Sequence, residues 1–283
     1  MYSLIVENKY GDKMEITHNP AYVIKDIDGL NPPEANINTT HYSGFDGSKY
    51  NSSYIQERSI TITIAINANA EENRINLYKY FKTKMPVKLY YKNSSRDVYI
   101  SGYVQSMPIA FFEMKQVAQI LIMCPDPLFR GTDVNIQQIN NVTPQFEFPM
   151  DLPSSGVPMS TVVPYSSEQV IKNGGDVESG FELVIRANGN VDTPEIRNVT
   201  TGESMGINTT MQSGNTIVLN TRKGEKTCYK QTGTSETSLT GYIAPGSTWL
   251  QMIPGDNVFE LSAISGLSNM YATFYLQEQY EGV

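Results

Sequence analysis

Histidine, cysteine and tryptophan are scarce: the 283-residue chain has two histidines, two cysteines and one tryptophan. Zinc sites and Ser–His–Asp catalysis depend on such residues, and the sequence contains no H-E-x-x-H motif, G-x-S-x-G elbow or P-loop. Two cysteines make no disulfide framework, so we expect Cys124 and Cys228 to be free thiols. We therefore predict no enzymatic activity and no catalytic, metal-binding or cofactor-binding residues.

Long apolar runs and an excess of positive charge are also missing. No run of about 18 apolar residues occurs, so we expect no membrane span. Glu7 and Asp12 interrupt the start of the chain before an apolar signal region can form, so we expect no signal peptide. The net charge of −8 and the pI of about 4.9 argue against nucleic-acid binding. Carboxylates are plentiful, which leaves a glycosidase open by composition alone, but nothing in the sequence places two of them together.

What the chain does contain favours β-structure, with 18 tyrosines, 10 phenylalanines and many turn-forming residues. The clearest strand is predicted at 56–66, where four isoleucines at positions 60, 62, 64 and 66 alternate with Ser59, Thr61, Thr63 and Ala65. Length and a change of composition after about residue 132 predict two domains, 1–135 and 136–283. The fold class is mostly β: an N-terminal β-sandwich with one helix, followed by a second β-sandwich.

A single helix is predicted over 70–83. Asn69 and Glu72 have the spacing of a capping box, and Ile75, Leu77, Tyr78 and Phe81 form an apolar stripe at helical spacing. Lysines follow at the C-terminal end, where cations are favoured. We expect the stripe to pack against a sheet.

Residues 28–53 form a long polar stretch rich in Asn, Pro, Gly and Ser. Stretches of this length are either disordered or functional arms. Phe45, Asp46 and Tyr50 lie in it, and aromatic residues in a polar arm can anchor on a neighbouring subunit. We therefore interpret these three residues as a candidate inter-subunit arm, with a disordered loop as the alternative.

Short strands recur at about ten-residue spacing after residue 160, which is typical of a sandwich or jelly roll. Residues 132–153 are polar and could be a linker or the first strand of this domain. Trp249, the lone tryptophan, could stack on a sugar, as in carbohydrate-binding modules. Its neighbours Leu250, Met252 and Ile253 favour a core position instead.

The order of several motifs resembles the distal tail protein (Dit) family of long-tailed phages. In the first domain these are 43–47 (SGFDG), 57–62 (ERSITI), 72–78 (ENRINLY), 87–91 (VKLYY), 102–104 (GYV) and 116–127, which ends CPDP. In the second they are 173–176 (NGGD), 194–202 (PEIRNVTTG), 219–221 (LNT), 247–249 (STW) and 254–257 (PGDN). Asn220 stands where family members often have Asp, a change that affects no catalytic role.

The resemblance implies a structural protein of the virion tail tip, assembled in the cytoplasm of a bacterial host. It implies a homohexameric ring closed by the first domain and a galectin-like second domain that projects outward. The implied partners are the tail tube protein, the tail-associated fibre or lysin protein and receptor-binding proteins. A carbohydrate-binding module acting through Trp249 is the alternative function.

Overall fold

A computed structural model describes residues 2–67, 69–111, 115–139, 142–144, 160–162 and 168–283. The chain divides into two compact units, Met1–Asp133 with Gln279–Val283, and Val134–Glu278. The described residues are mostly β with one α-helix, which confirms the predicted fold class.

The strands and the helix follow one another in this order: β1 Ser3–Glu7, β2 Lys13–Glu15, β3 Tyr22–Asp28, β4 Ala35–Thr40, β5 Lys49–Ile55, β6 Arg58–Ile66, α1 Ala70–Tyr80, β7 Pro86–Lys92, β8 Asp97–Ser106, β9 Val117–Cys124, β10 Phe129–Gly131, β11 Asn135–Ile139, β12 Val142–Pro144, β13 Ser160–Val162, β14 Glu168–Asn173, β15 Phe181–Ala187, β16 Val191–Asp192, β17 Glu195–Asn198, β18 Glu203–Gly206, β19 Thr210–Met211, β20 Thr216–Asn220, β21 Thr227–Thr232, β22 Ser235–Ser238, β23 Gly255–Ser262, β24 Met270–Leu276 and β25 Gln279–Tyr280. Two short 3-10 helices, Thr240–Tyr242 and Leu267–Asn269, lie in the second unit.

The first unit is built on one antiparallel sheet in the order β2-β1-β7-β8-β9-β6-β3, to which β10 and β25 are added beside β8. The alternation predicted for β6 is present: all four isoleucines are buried, and Ser59 and Thr61 on the other face are not. Burying such a side chain contributes about 1.5–3 kcal/mol, so this one strand supplies much of the core.

Helix α1 begins at Ala70 as predicted but differs from its prediction in its cap and its C-terminal end. It stops at Tyr80, and Asn69 lies in the left-handed region (φ 51°) with no side-chain capping bond, so the predicted capping box does not form. Leu77 and Phe81 are buried in the core, whereas Ile75 and Tyr78 are exposed. Only half of the apolar stripe therefore packs against the sheet.

The second unit is a sandwich of a six-stranded sheet, β11-β24-β15-β20-β21-β22, and a four-stranded sheet, β14-β23-β17-β18. Both sheets contribute to one core, in which Phe181, Phe259 and Phe274 contact one another with ring centroids 4.9–5.5 Å apart. Part of the 132–153 stretch is the strand β11, which pairs with β24.

Three predictions differ from the structure or lie outside it. The stretch 28–53 is not a disordered loop, because β4 and β5 pair as a hairpin within it. Residues 279–283, assigned from sequence to the second domain, belong to the first unit, because β25 pairs with β10. The predicted turn at 112–115 and strand at 162–165 fall mostly outside the described residues. No helix in the described ranges is long and apolar enough to span a membrane.

Candidate assembly surface

The hairpin β4–β5, which we call the arm, stands apart from the sheet of the first unit. Its strands pair with each other and with no other described strand. Every residue of β5 is exposed, and in β4 only Asn36 is partly covered. A lone two-stranded hairpin is at best marginally stable in water, so a surface that covers the arm would stabilise it.

The two faces of the arm differ in chemistry. Side chains alternate along a strand, and the β-bulge after Asn38 puts Tyr50 on the same face as Ile37 and Ile55. All three are exposed, and this is the apolar face of the arm.

The opposite face is held by polar side chains. Asn36 Nδ2 donates to Tyr54 Oη at 3.0 Å, and Asn38 Nδ2 donates to Ser52 Oγ at 3.1 Å. Both bonds join side chains of β4 to side chains of β5. The polar face can therefore remain in water, while the apolar face gains from being covered.

The tip of the arm, residues 42–47, presents two exposed aromatic rings, Tyr42 and Phe45, and one charge. Phe45 is 81% exposed and is followed by Asp46, also exposed. Gly44 has φ 88°, a conformation that other residues rarely adopt, so the tip turn depends on glycine. The structure thus puts Phe45 and Asp46 at the end of the arm and Tyr50 on its apolar face.

The base of the arm is fastened by Arg58, a residue that the sequence analysis did not single out. Its side chain is buried and donates to four backbone carbonyls: Nη1 to Gly29 at 2.6 Å and Asn31 at 2.5 Å, Nε to Pro127 at 2.7 Å, and Nη2 to Glu281 at 2.5 Å. The guanidinium also lies 4.7 Å from the centre of the Phe129 ring. Burial lowers the pKa of Arg58 from its usual value. The hydrogen bonds to the four carbonyls offset the free-energy cost of burying the charged guanidinium.

The segment 279–283 completes this anchor. Arg96 donates to the Gly282 carbonyl and lies over the Tyr280 ring at 4.4 Å, and Val283 N donates to Leu30 O at 3.2 Å. Gly29 lies where the chain leaves β3 for the arm, and a Cβ there would come within 2.3 Å of Ser59 O. The base of the arm is therefore fixed, although its strands are exposed.

A groove lies between the β1–β2 turn and helix α1, with a volume of about 610 Å³. Its apolar lining includes the exposed side chains of Tyr10, Ile75 and Tyr78. Three exposed lysines also line it, Lys9, Lys79 and Lys82, together with Asp12. The groove is thus apolar with a net positive rim. Ile75 and Tyr78, the exposed half of the apolar stripe of α1, form part of its lining.

Trp249 is not a freely exposed side chain. It is partly buried against the core of the second unit, and Lys226 Nζ lies 5.6 Å from the ring centre. Leu250 and Met252 beside it are fully buried, as their apolar run predicts. This geometry favours a packing role over sugar stacking.

Three asparagines from the motifs quoted above hold turns of the second unit from inside. Asn173 Nδ2 donates to the carbonyls of Val177 and Met252, and Asn257 Nδ2 donates to those of Ile253 and Gly255. Asn198 Oδ1 accepts from the backbone of Thr200 and Thr201. The motifs of this half therefore specify turn geometry.

Neither cysteine has the character of a nucleophile. Both are free and buried, and burial raises the pKa of Cys124 to about 12 and that of Cys228 to about 11. Thiolates are the reactive form, so these thiols are inert in the folded protein. Across the ranges that the structure describes, no cluster of three or more His, Cys, Asp or Glu side chains could hold a metal ion.

Comparison with known proteins connects both units to phage tails. Residues 9–123 match the family model described as a phage tail protein RIFT-related domain, and residues 174–277 match the siphovirus-type tail component, C-terminal domain. No curated protein matches the chain.

Solved structures share the fold over the whole chain. The crystal structure of the Dit protein of phage SPP1, described as a paradigm of the hub adsorption apparatus in phages that infect Gram-positive bacteria, matches with a TM-score of 0.68 and 11% identity over 99% of both chains. Two structures of the phage P2 baseplate in its activated conformation, with Ca and with Sr, match with TM-scores of 0.56 and 14% identity over 100% of both chains.

Proposed function

Because the chain belongs to the distal tail protein family of siphophages, we propose that this phage tail hub component works as a homohexameric ring closed by its first unit. The observation that carries the proposal is the arm, an exposed hairpin with one apolar and one polar face on a fixed base. An arm that contacts a different surface of the next copy makes a head-to-tail interface, and such interfaces form rings when the rotation between copies closes.

In this proposal Phe45, Asp46 and Tyr50 are inter-subunit contacts. Phe45 and Tyr50 are exposed aromatic side chains, the type that dominates binding energy once it is buried in a partner. Tyr50 acts together with Ile37 and Ile55, its neighbours on the apolar face. The fixed base presents the arm in one direction, which lowers the ordering cost of assembly.

We further propose that the ring joins the tail tube protein on one side to the tail-associated fibre or lysin protein on the other. The second unit then serves as the platform for receptor-binding proteins. What supports these partners is family membership and the hub role stated for the SPP1 protein. The protein would assemble in the host cytoplasm and function at the virion tail tip, as a structural component without catalysis.

Two tyrosines provide a matched test of the arm. Tyr50 is 59% exposed on the apolar face and Tyr54 is 55% exposed on the polar face. Each phenolic hydroxyl has one hydrogen bond within the arm. We expect Tyr50→Ser to reduce the ring fraction at least about tenfold in native mass spectrometry and negative-stain images, and Tyr54→Ser to change it less than about twofold.

The proposal fails if wild-type protein forms no ring at high micromolar concentration, either alone or with the tail tube protein. Equal effects of the two serine variants would instead show that the apolar face of the arm is not the part that contacts the next subunit. Thermal unfolding of both variants checks that the monomer is unchanged.

A further inference from the structure

We propose that the groove between the β1–β2 turn and helix α1 receives the arm tip of a second copy of this chain, with Phe45 in the groove and Asp46 against its lysines. This inference rests on the proposed ring and names the surface that each arm contacts.

The first argument is the lining of the groove. Tyr10, Ile75 and Tyr78 expose apolar surface side by side around a concave space, a feature that isolated exposed apolar residues lack. Leu77 and Phe81 already anchor α1 to the core, of which Ile75 and Tyr78 are not part. A buried aromatic ring would remove this surface from water.

The second argument is charge. Lys9, Lys79 and Lys82 line the groove against one carboxylate, that of Asp12, which accepts a hydrogen bond from Asn8 Nδ2 at 3.1 Å. The only charged residue in the tip sequence 42–47 is Asp46. An exposed Phe followed by an Asp therefore complements an apolar groove with lysines on its rim, and such complementarity fixes the register of a contact.

Charge reversal tests the contact and shows whether it joins two copies. The tip variant is Asp46→Lys, and the groove variant is Lys79→Glu with Lys82→Glu. Each variant alone brings like charges together in every contact, so we expect at least about a tenfold loss of rings. Mixed in equal amounts, they can alternate around a ring with every contact paired, and we expect rings to return with equal numbers of the two chains by native mass spectrometry. Lys223→Glu, on the second unit, is the control for charge and should form rings normally.

The outcomes separate this inference from the proposed function. If the two variants fail separately and together but a chain carrying all three substitutions forms rings, the tip contacts its own groove and the inference is overturned. If either variant alone forms wild-type rings, this groove is not the contact, while the ring itself stands. If the wild-type chain forms no ring with or without the tail tube protein, the proposed function fails first.

Cross-linking gives a second measurement that does not depend on charge. Phe45→Cys combined with Ile75→Cys should yield disulfide-linked oligomers up to the full ring on mild oxidation, because the native thiols are buried. Phe45→Cys combined with Ile264→Cys, an exposed position on the second unit, should stay largely monomeric on a denaturing gel. Equal cross-linking of the two pairs would overturn the inference.

Discussion

The two units of this chain distribute apolar surface and buried polar groups differently. Among the described residues, most of the large apolar side chains that remain exposed belong to the first unit, including Tyr10, Phe45 and Tyr50. The second unit instead buries several amides, and Asn173, Asn198 and Asn257 bond to backbone groups of nearby turns. Buried amides that bond to turns are thus a feature of the second unit, whereas the first unit keeps more exposed apolar surface.

The contrast separates a unit with much exposed apolar surface from a unit with several buried amides. Contiguous exposed apolar patches mark contact surfaces, and fully satisfied amide networks rigidify a fold. Each unit also carries one buried thiol, Cys124 in the first and Cys228 in the second. Thiol labelling therefore reports the opening of each unit separately.

The largest effect should come from Arg58→Met. The substitution leaves four carbonyls without their donor, so we expect the free energy of unfolding of the first unit to fall by about 3–5 kcal/mol. Labelling of Cys124 should accelerate more than about a hundredfold while that of Cys228 is unchanged. Arg197→Met, at an exposed position of the second unit, should change neither rate. Unchanged Cys124 labelling in Arg58→Met would show that the anchor contributes little.

A smaller effect, confined to the other unit, is expected from Asn257→Ala. This buried side chain donates to two carbonyls and accepts from Ile253 N at 3.0 Å. Its loss should lower the free energy of unfolding of the second unit by about 2–3 kcal/mol and accelerate Cys228 labelling alone. The exposed Asn188→Ala is the matched control. If Cys124 responds as strongly as Cys228, the two units do not unfold independently.

The smallest effect is a pH dependence of the first unit. Burial and a 2.8 Å hydrogen bond to Glu7 raise the pKa of Tyr90 to about 12 from an ordinary value of 10.0. A raised folded pKa gives stability that is present below pH 10 and is lost as pH rises to about 12. We expect Tyr90→Phe to remove about 1–2 kcal/mol of the alkaline decrease in stability.

Urea denaturation followed by circular dichroism at pH 9 and pH 11.5 measures this difference, with Trp249 fluorescence reporting the second unit. Tyr103→Phe, an exposed tyrosine on β8, should keep the wild-type pH dependence. The assignment to Tyr90 is wrong if both variants retain it.

Periodic burial made the sheets predictable from the sequence. The isoleucine alternation of β6 and the short strands of the second unit follow from side chains that must face a core. Helix α1 was found by the same reasoning, but Ile75 and Tyr78 were wrongly expected to be packed. An apolar stripe shows which residues favour burial. It does not show whether they are buried by their own chain or by another molecule.

The strand pairing within the arm and the anchoring role of Arg58 were not predicted, and the reasons are physical. The hairpin β4–β5 is held by amide and hydroxyl pairs such as Asn38 with Ser52, so it lacks the apolar alternation that identifies a strand. Arg58 bonds to carbonyls from distant parts of the chain, which no local pattern encodes. Phe45, Asp46 and Tyr50 were found because aromatic residues are unusual in so polar a stretch, and their role remains a prediction.

Because residues 279–283 belong to the first unit, that unit cannot complete its contacts until the end of this sequence has been synthesised. The Glu281 carbonyl that Arg58 binds is made 223 residues after Arg58 itself. A nascent chain on the ribosome therefore carries an arm whose base lacks its last fastening, and it acquires that fastening only after the whole second unit has been translated. A chain that stops before this segment therefore carries the arm without the Glu281 and Gly282 contacts at its base.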